Sequence, residues 1–241
     1  MATIVLVPGA WLGAWAWQRV APELEAAGHR PLAVSLPGLA ERADEIGPAV
    51  GLMAHVRDLL ALGVREKLHG ALLVGHSYAG AVVGAVARRA PERFRGQVYV
   101  DTLPLAEGAS LLDPSDAAGR AQFTARLSVV GGVRVWRMPE PLGAQAPVDG
   151  LTTADLALLR ERGTPHPALC WEEALSGGIA PGPYPPSHAI SCVGSESPDA
   201  ERAQFLASHP DWTYDSLPTG HWPMFSTPKE LARQIARIAG G

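Results

Sequence analysis

Thiols are nearly missing from this chain, which has two cysteines, Cys170 and Cys192, in 241 residues. A disulfide framework needs more, and neither cysteine stands with histidines at metal-ligand spacing. The expectation is two reduced thiols and no metal site. Charge is sparse as well: 18% of residues are charged, the net is -4, and no block of one sign occurs. That pattern argues against a nucleic-acid partner. No apolar run approaches the roughly 20 residues that cross a bilayer, so no membrane partner is expected. The opening "MATIVLVPGA" carries no basic segment, and Pro8 breaks its apolar run. It reads as a first strand rather than an export signal, and a cytoplasmic location is expected. Internal repeats and low-complexity tails are absent, and no cofactor motif is found.

What the chain does have is apolar mass, 47% of its residues, enough for one domain with a sizeable core. Strand-like runs alternate with helical patterns, which is the sign of a parallel sheet with crossover helices. Strands are expected at 3–7, at 30–38 together with the turn that follows, and at 70–75, 96–104, 188–194 and 212–217. Helices are expected at 14–29, at 50–68 with Met53, Val56, Leu60 and Val64 on one face, and from 81 to the stop at Pro91. A last helix is marked by Thr227, Pro228 and Glu230, followed by Leu231, Ile235 and Ile238 on one face. From Leu105 to Ser187 the alternation lapses into Pro- and Gly-rich sequence with short helical signals. Asp113-Pro114 reads as one cap, and Thr152 with Asp155 as a capping box. The fold class is therefore α/β, a mostly parallel doubly wound sheet. Residues 1–104 and 188–241 form the core, and 105–187 a helical cap insertion.

One stretch carries chemistry. "LLVGHSYAGAVVG", residues 72–84, joins a buried strand to a buried helix through Ser77, with Gly75, Ala79 and Gly80 as small neighbours. A serine on such a corner is exposed above the sheet edge, and the helix behind it aims N–H groups at developing negative charge. His76 beside it reads as a packing residue. A serine hydroxyl needs an imidazole to take its proton. Of the eight histidines, His29, His55, His69 and His209 lie in or beside helical stretches and read as solvent-facing or locally satisfied; His166 and His188 lie in or next to the insertion. His221 stands on a loop after the last strand, at the sheet edge where the Ser77 corner opens, and is the expected base.

Together, "VPGAWLGAW" (7–15), "GHSYAG" (75–80), "VYVDTLPLAEG" (98–108) and "GHWPMFSTPKEL" (220–231) resemble the α/β-hydrolase superfamily over essentially the whole chain. The likeness is to small serine esterases and hydroxynitrile lyases related to plant methylesterases, and to their bacterial relatives. It implies oxyanion N–H donors at Ala10 and Tyr78. Relatives usually have His-Gly where this chain has Pro8-Gly9. Similar hydroxynitrile lyases carry Thr and Lys where Gly9 and Trp222 stand here, which argues against lyase activity.

The third member of a triad is read less directly. Bacterial relatives place an Asp at the offset occupied here by Glu196, which makes Glu196 the first candidate acid. Asp101, at the end of a strand, is the alternative, and Asp199 a third. Trp11, Trp136, Trp171 and Trp222 are the candidate pocket residues, with Phe123 and Met138 as further large apolar groups of the insertion. No arginine pair stands out as a carboxylate or phosphate clamp. The expected function is hydrolysis of a carboxylic ester, thioester or lactone of a small, uncharged, moderately apolar substrate. The alternative is a ligand binder with vestigial turnover. The oligomeric state is left open, a homodimer included.

Overall fold

Strand β1, Thr3–Val7, is apolar on both faces: Ile4 and Leu6 pack to one side of the sheet, Val5 and Val7 to the other. Side chains alternate along a strand, so a continuous apolar run needs cover on both faces, as in a parallel sheet flanked by helices. The computed structural model, which describes residues 1–144, 146–193 and 198–240, has that arrangement. A 3-10 turn at Ala14–Trp17 and helix α1, Ala21–Ala26, lead to β2, Arg30–Ala33. Helix α2, Leu52–Arg65, leads to β3, Ala71–His76, and α3, Ala79–Arg89, leads to β4, Phe94–Val100. The next stretch holds α4 (Ala117–Ala125), β5 (Leu127–Val130), β6 (Val133–Trp136), α5 (Thr153–Arg162), β7 (His166–Pro167) and α6 (Leu169–Glu172). The chain ends with β8 (Ser187–Cys192), α7 (Pro198–Ser208), β9 (Thr213–Leu217), α8 (Pro223–Ser226) and α9 (Pro228–Gly240).

Among the described residues the main sheet has six strands in the order β2-β1-β3-β4-β8-β9, each neighbouring pair parallel. The chain steps from β1 outward to β2, then returns to the other side of β1 with β3. The loops after β1 and β3 therefore diverge at a switch point, where a parallel sheet opens a crevice at its carboxyl edge. One core lies between the sheet and α2 and α3; the other lies against α1 and α9, where Leu24, Leu231 and Ile235 are fully buried. Each such side chain contributes about 1.5–3 kcal/mol.

Several local expectations change. The stretch 14–29 is two short elements, because Pro22 lacks the N–H a through-running helix needs and instead sits in the first turn of α1. Helix α2 keeps Met53 and Val56 buried as expected and Leu60 partly so, but Leu52, Leu59 and Leu62 complete the inward face while Val64 is 61% exposed. His55 lies within that buried arc, so counting it as polar rotates the reading of the stripe. Asp116, not Asp113, caps α4 by accepting the Gly119 N–H at 2.7 Å, while Asp113 accepts from Ser110 in the preceding turn. The Thr152–Asp155 capping box forms as read. The segment between β4 and β8 also contains an unread three-stranded sheet, β5-β6-β7. Its strands are too short for alternation to register. The available signal was Gly131-Gly132, both at positive φ, making a two-residue hairpin turn with Val130 opposite Val133.

Candidate active site

Ser77 follows the last residue of β3 and precedes α3, with its backbone at φ 51°. A non-glycine residue there is strained by about 1–3 kcal/mol. The corner is held because the Ser77 N–H bonds the Val100 carbonyl at 3.1 Å and the Gly80 N–H bonds the Ser77 carbonyl at 2.9 Å. Space around it is minimal. A Cβ on Gly75 would come within 2.7 Å of Val83 Cγ2, and one on Gly9 within 2.7 Å of His76 Nδ1 and 3.0 Å of Ser77 Cβ. Small residues at 9 and 75 are thus a packing requirement of the corner.

His221 Nε2 lies 2.9 Å from Ser77 Oγ, and His221 Nδ1 lies 2.5 Å from Asp101 Oδ2. Asp101 directly follows β4 at φ 51°, its N–H on the Ile190 carbonyl, and its Oδ1 accepts the Cys192 N–H at 3.0 Å. Burial pushes the Asp101 carboxyl upward, but the His221 hydrogen bond and charge and the Cys192 N–H outweigh it, holding the group below the usual carboxylate range. An ionised Asp101 keeps the proton on Nδ1 and leaves the Nε2 lone pair toward the serine. The carboxylate on the imidazole is therefore the alternative of the sequence reading. Glu196, its first candidate, lies outside the described residues, and Asp199 falls at the start of α7.

The loop bearing His221 is clamped from two sides. His76 is buried and donates its Nε2–H to the His221 carbonyl at 2.6 Å, which accounts for its packing role. Burial drives its imidazole far below the ordinary histidine value. On the other side the N–H groups of His221 and Gly220 bond the carbonyls of Pro147 and Asp149 at 2.9 and 3.1 Å. Nothing in local sequence signals that clamp, because its halves lie some 70 residues apart.

Ser77, His221 and Asp101 open on a cavity of about 330 Å³ whose wall includes Ala10, Tyr78, Trp11, Trp136, Trp171 and Trp222. The four tryptophans named from sequence are thus brought together with the two candidate oxyanion residues. Trp136 meets Trp11 and Trp171 edge-on, with ring centroids 4.9 Å apart in each pair.

Behind this wall is a buried cluster that sequence reasoning missed. His55, read as solvent-facing or locally satisfied, is fully buried: its Nε2–H bonds the Pro37 carbonyl at 2.9 Å, and its Nδ1 accepts the Tyr78 hydroxyl at 2.8 Å. His166 Nδ1 accepts the Trp11 N–H at 3.2 Å. Burial holds His55 down to about 4 and His166 well below the ordinary value, so both rings are neutral. With Cys170, they bring three metal-ligating atoms within 4.8 Å of one another. The hydrogen bonds assign the lone pairs differently. The Nδ1 pairs of both histidines already accept protein donors, and the His166 proton sits on Nε2, so a metal ion would have to break these bonds.

A serine on a strained strand-to-helix corner, an imidazole on the loop after the last strand and a carboxylate behind it define a class of parallel-sheet enzymes. The family model described as "Alpha/beta hydrolase family" matches residues 4–234. The chain belongs to the α/β hydrolase family. Among its relatives is the carbendazim hydrolyzing esterase of Nocardioides sp. (strain SG-4G), 31% identical over 99% of this chain and 100% of that one. Polyneuridine aldehyde esterase of Rauvolfia serpentina is 33% identical over 41% of this chain and 38% of its own. An extracellular α/β-hydrolase from a Paenibacillus species has the same fold, with a TM-score of 0.79 at 20% identity over 98% of each chain. No helix among the described residues is long and apolar enough to cross a membrane.

Proposed function

We propose that this protein is a serine hydrolase that cleaves a carboxylic ester, thioester or lactone of a small, uncharged, moderately apolar substrate through an acyl-enzyme. One observation carries the reading: Ser77 Oγ at 2.9 Å from His221 Nε2, with Asp101 on the far nitrogen, facing an aromatic-walled cavity. As Ser77 Oγ attacks the carbonyl carbon, its proton passes to His221 Nε2. Asp101 stabilises the imidazolium. The N–H groups of Ala10 and Tyr78 receive the oxyanion, each donor contributing about 10²–10³ in rate. His221 then returns the proton to the leaving group. Water, deprotonated by the same imidazole, releases the acid and regenerates Ser77.

Among the described residues lining the cavity there is no lysine or arginine, and Asp101 is occupied by His221, which supports a neutral substrate. Residues 105–187 act as the cap over the sheet edge, lending Leu111, Trp136, Ala146 and Trp171 to the wall. Ester hydrolysis, rather than another reaction of the family, is also supported by the esterase names of the relatives. The alternative, a binder with vestigial turnover, draws on the open choice of acid, and the Asp101 contact on His221 Nδ1 supports the catalytic reading over it. The substrate is the expected partner, and the reaction as written needs no cofactor. A fluorophosphonate probe should label Ser77 in the wild type and fail in His221→Ala, and short p-nitrophenyl esters should be hydrolysed. No labelling together with no hydrolysis would end this reading.

A further inference from the structure

We propose that His166 is a positioning residue for the oxyanion corner, its Nδ1 fixing Trp11 and through it the adjoining Ala10 peptide. The proposal rests on the ester-hydrolase reading above. Trp11 sits at φ 66°, a conformation that an L-residue keeps only when its surroundings hold it. Each of its polar groups is held by the segment between β4 and β8. The N–H donates to His166 Nδ1 at 3.2 Å, and the indole Nε1–H donates to the Trp136 carbonyl at 2.9 Å. The Trp11 carbonyl accepts the Thr164 N–H at 2.9 Å and the Thr164 hydroxyl at 3.3 Å.

The contact of His166 differs from the others in what it controls. The Trp11 N–H belongs to the peptide plane that begins at the Ala10 carbonyl. Holding that plane in place restricts ψ of Ala10 and so limits how far the Ala10 nitrogen can turn away from the cavity. The other proposed donor, Tyr78, packs against the same ring: its centroid lies 4.6 Å from that of His166, edge-on. One buried imidazole therefore touches Tyr78 directly and, through the Trp11 N–H, holds the peptide that follows Ala10. An acceptor is needed at this spot, and a neutral imidazole with its proton on Nε2 provides one inside an apolar wall. His166 touches no substrate in this scheme and acts only through Trp11.

The test uses the full chain with His166→Phe, which keeps a ring and loses the acceptor, and His166→Asn, whose Oδ1 falls near the former Nδ1. Turnover of a short p-nitrophenyl ester and affinity for phenylboronic acid, which forms a tetrahedral adduct on Ser77, are measured beside thermal stability. His166→Phe should lower kcat by about 10–100-fold with little change in KM, the scale expected when a reacting geometry shifts by under an ångström. It should weaken the boronate by a similar factor, and His166→Asn should recover most of both. Wild-type kcat and boronate affinity in His166→Phe would overturn the proposal. So would equal impairment of both variants in proportion to lost folded protein. Should His166→Phe not fold, nitrogen-15 spectra of wild-type histidines decide: Nδ1 of His166 should be unprotonated across the working pH range, and a proton there overturns the assignment. Fluorophosphonate labelling of the wild type runs in parallel. Its absence sinks the hydrolase reading itself, whereas labelling with an unaffected His166→Phe sinks only the role of His166.

Discussion

Asp101 meets His221 across 120 residues of chain, Oδ2 to Nδ1 at 2.5 Å, and keeps its other oxygen on the Cys192 N–H. The carboxylate is thus held by the end of β8 while it orients an imidazole carried by the loop after β9. A side chain anchored at both oxygens cannot swing, so the tautomer of His221 is set by the sheet edge itself.

Asp101→Asn should leave the fold intact and lower kcat by about 10⁴-fold, because an amide allows the wrong tautomer. Single-turnover and steady-state rates on a p-nitrophenyl ester check this. Were Glu196→Gln to carry the loss instead, the assignment of Asp101 would fall.

Tyr78 has two separable parts, an amide proposed above as an oxyanion donor and a hydroxyl on His55. Tyr78→Phe leaves the buried His55 Nδ1 with only the weak Cys170 thiol contact at 3.8 Å, which should destabilise the fold by about 1–3 kcal/mol. Urea midpoints and kcat measured together should show a larger free-energy loss in stability than in catalysis. The reverse order would mean the hydroxyl takes part in turnover.

A Cβ at position 220 would stand 2.5 Å from the Pro147 carbonyl oxygen and 2.7 Å from the Asp149 nitrogen. Gly220→Ala must therefore push the His221 loop off its clamp. A displacement near 1 Å costs about 10²-fold in rate. A crystal structure of the variant with its kcat checks both halves, and full activity would show that the loop tolerates the shift.

Acid should weaken this fold well before its carboxylates protonate. His55, His76 and His166 are buried with imidazole values lowered from 6.5, to about 4 for His55. Below about pH 6.5 the unfolded chain binds protons that the native rings refuse, so stability falls with falling pH until the native values are reached. Each ring contributes up to about 1.36 kcal/mol per pH unit within that window. Urea titrations between about pH 7 and 5 should show the slope, with His166→Asn removing that one ring's share of it. A flat profile would contradict the buried neutral rings.

The main sheet was legible because its inner strands β1, β3 and β4 carry short apolar runs bounded by turns, and the Ser77 corner because strained turns demand small neighbours that sequence displays. His221 was legible from topology, since the loop after the last strand can only open at one edge. The acid was ambiguous because Glu196 and Asp101 follow adjacent strands, β8 and β4, and which carboxylate reaches an imidazole is a distance no spacing encodes. His55 and His166 were illegible for another reason. Histidine counts as polar in any periodicity, and partners such as Tyr78, Pro37 and Trp11 are assembled only by the crossover of β1 and β3.

Both loops flanking Ser77 take their shape from the stretch between β4 and β8, His221 and Gly220 leaning on Pro147 and Asp149, and Trp11 on Trp136, Thr164 and His166. That stretch is consequently a poor unit for grafting. A chimera that imports the corresponding region of a relative to change selectivity would also import foreign supports for the base and for the first loop. Recombination at this site succeeds only when residues 9–12 and 219–222 travel with the graft.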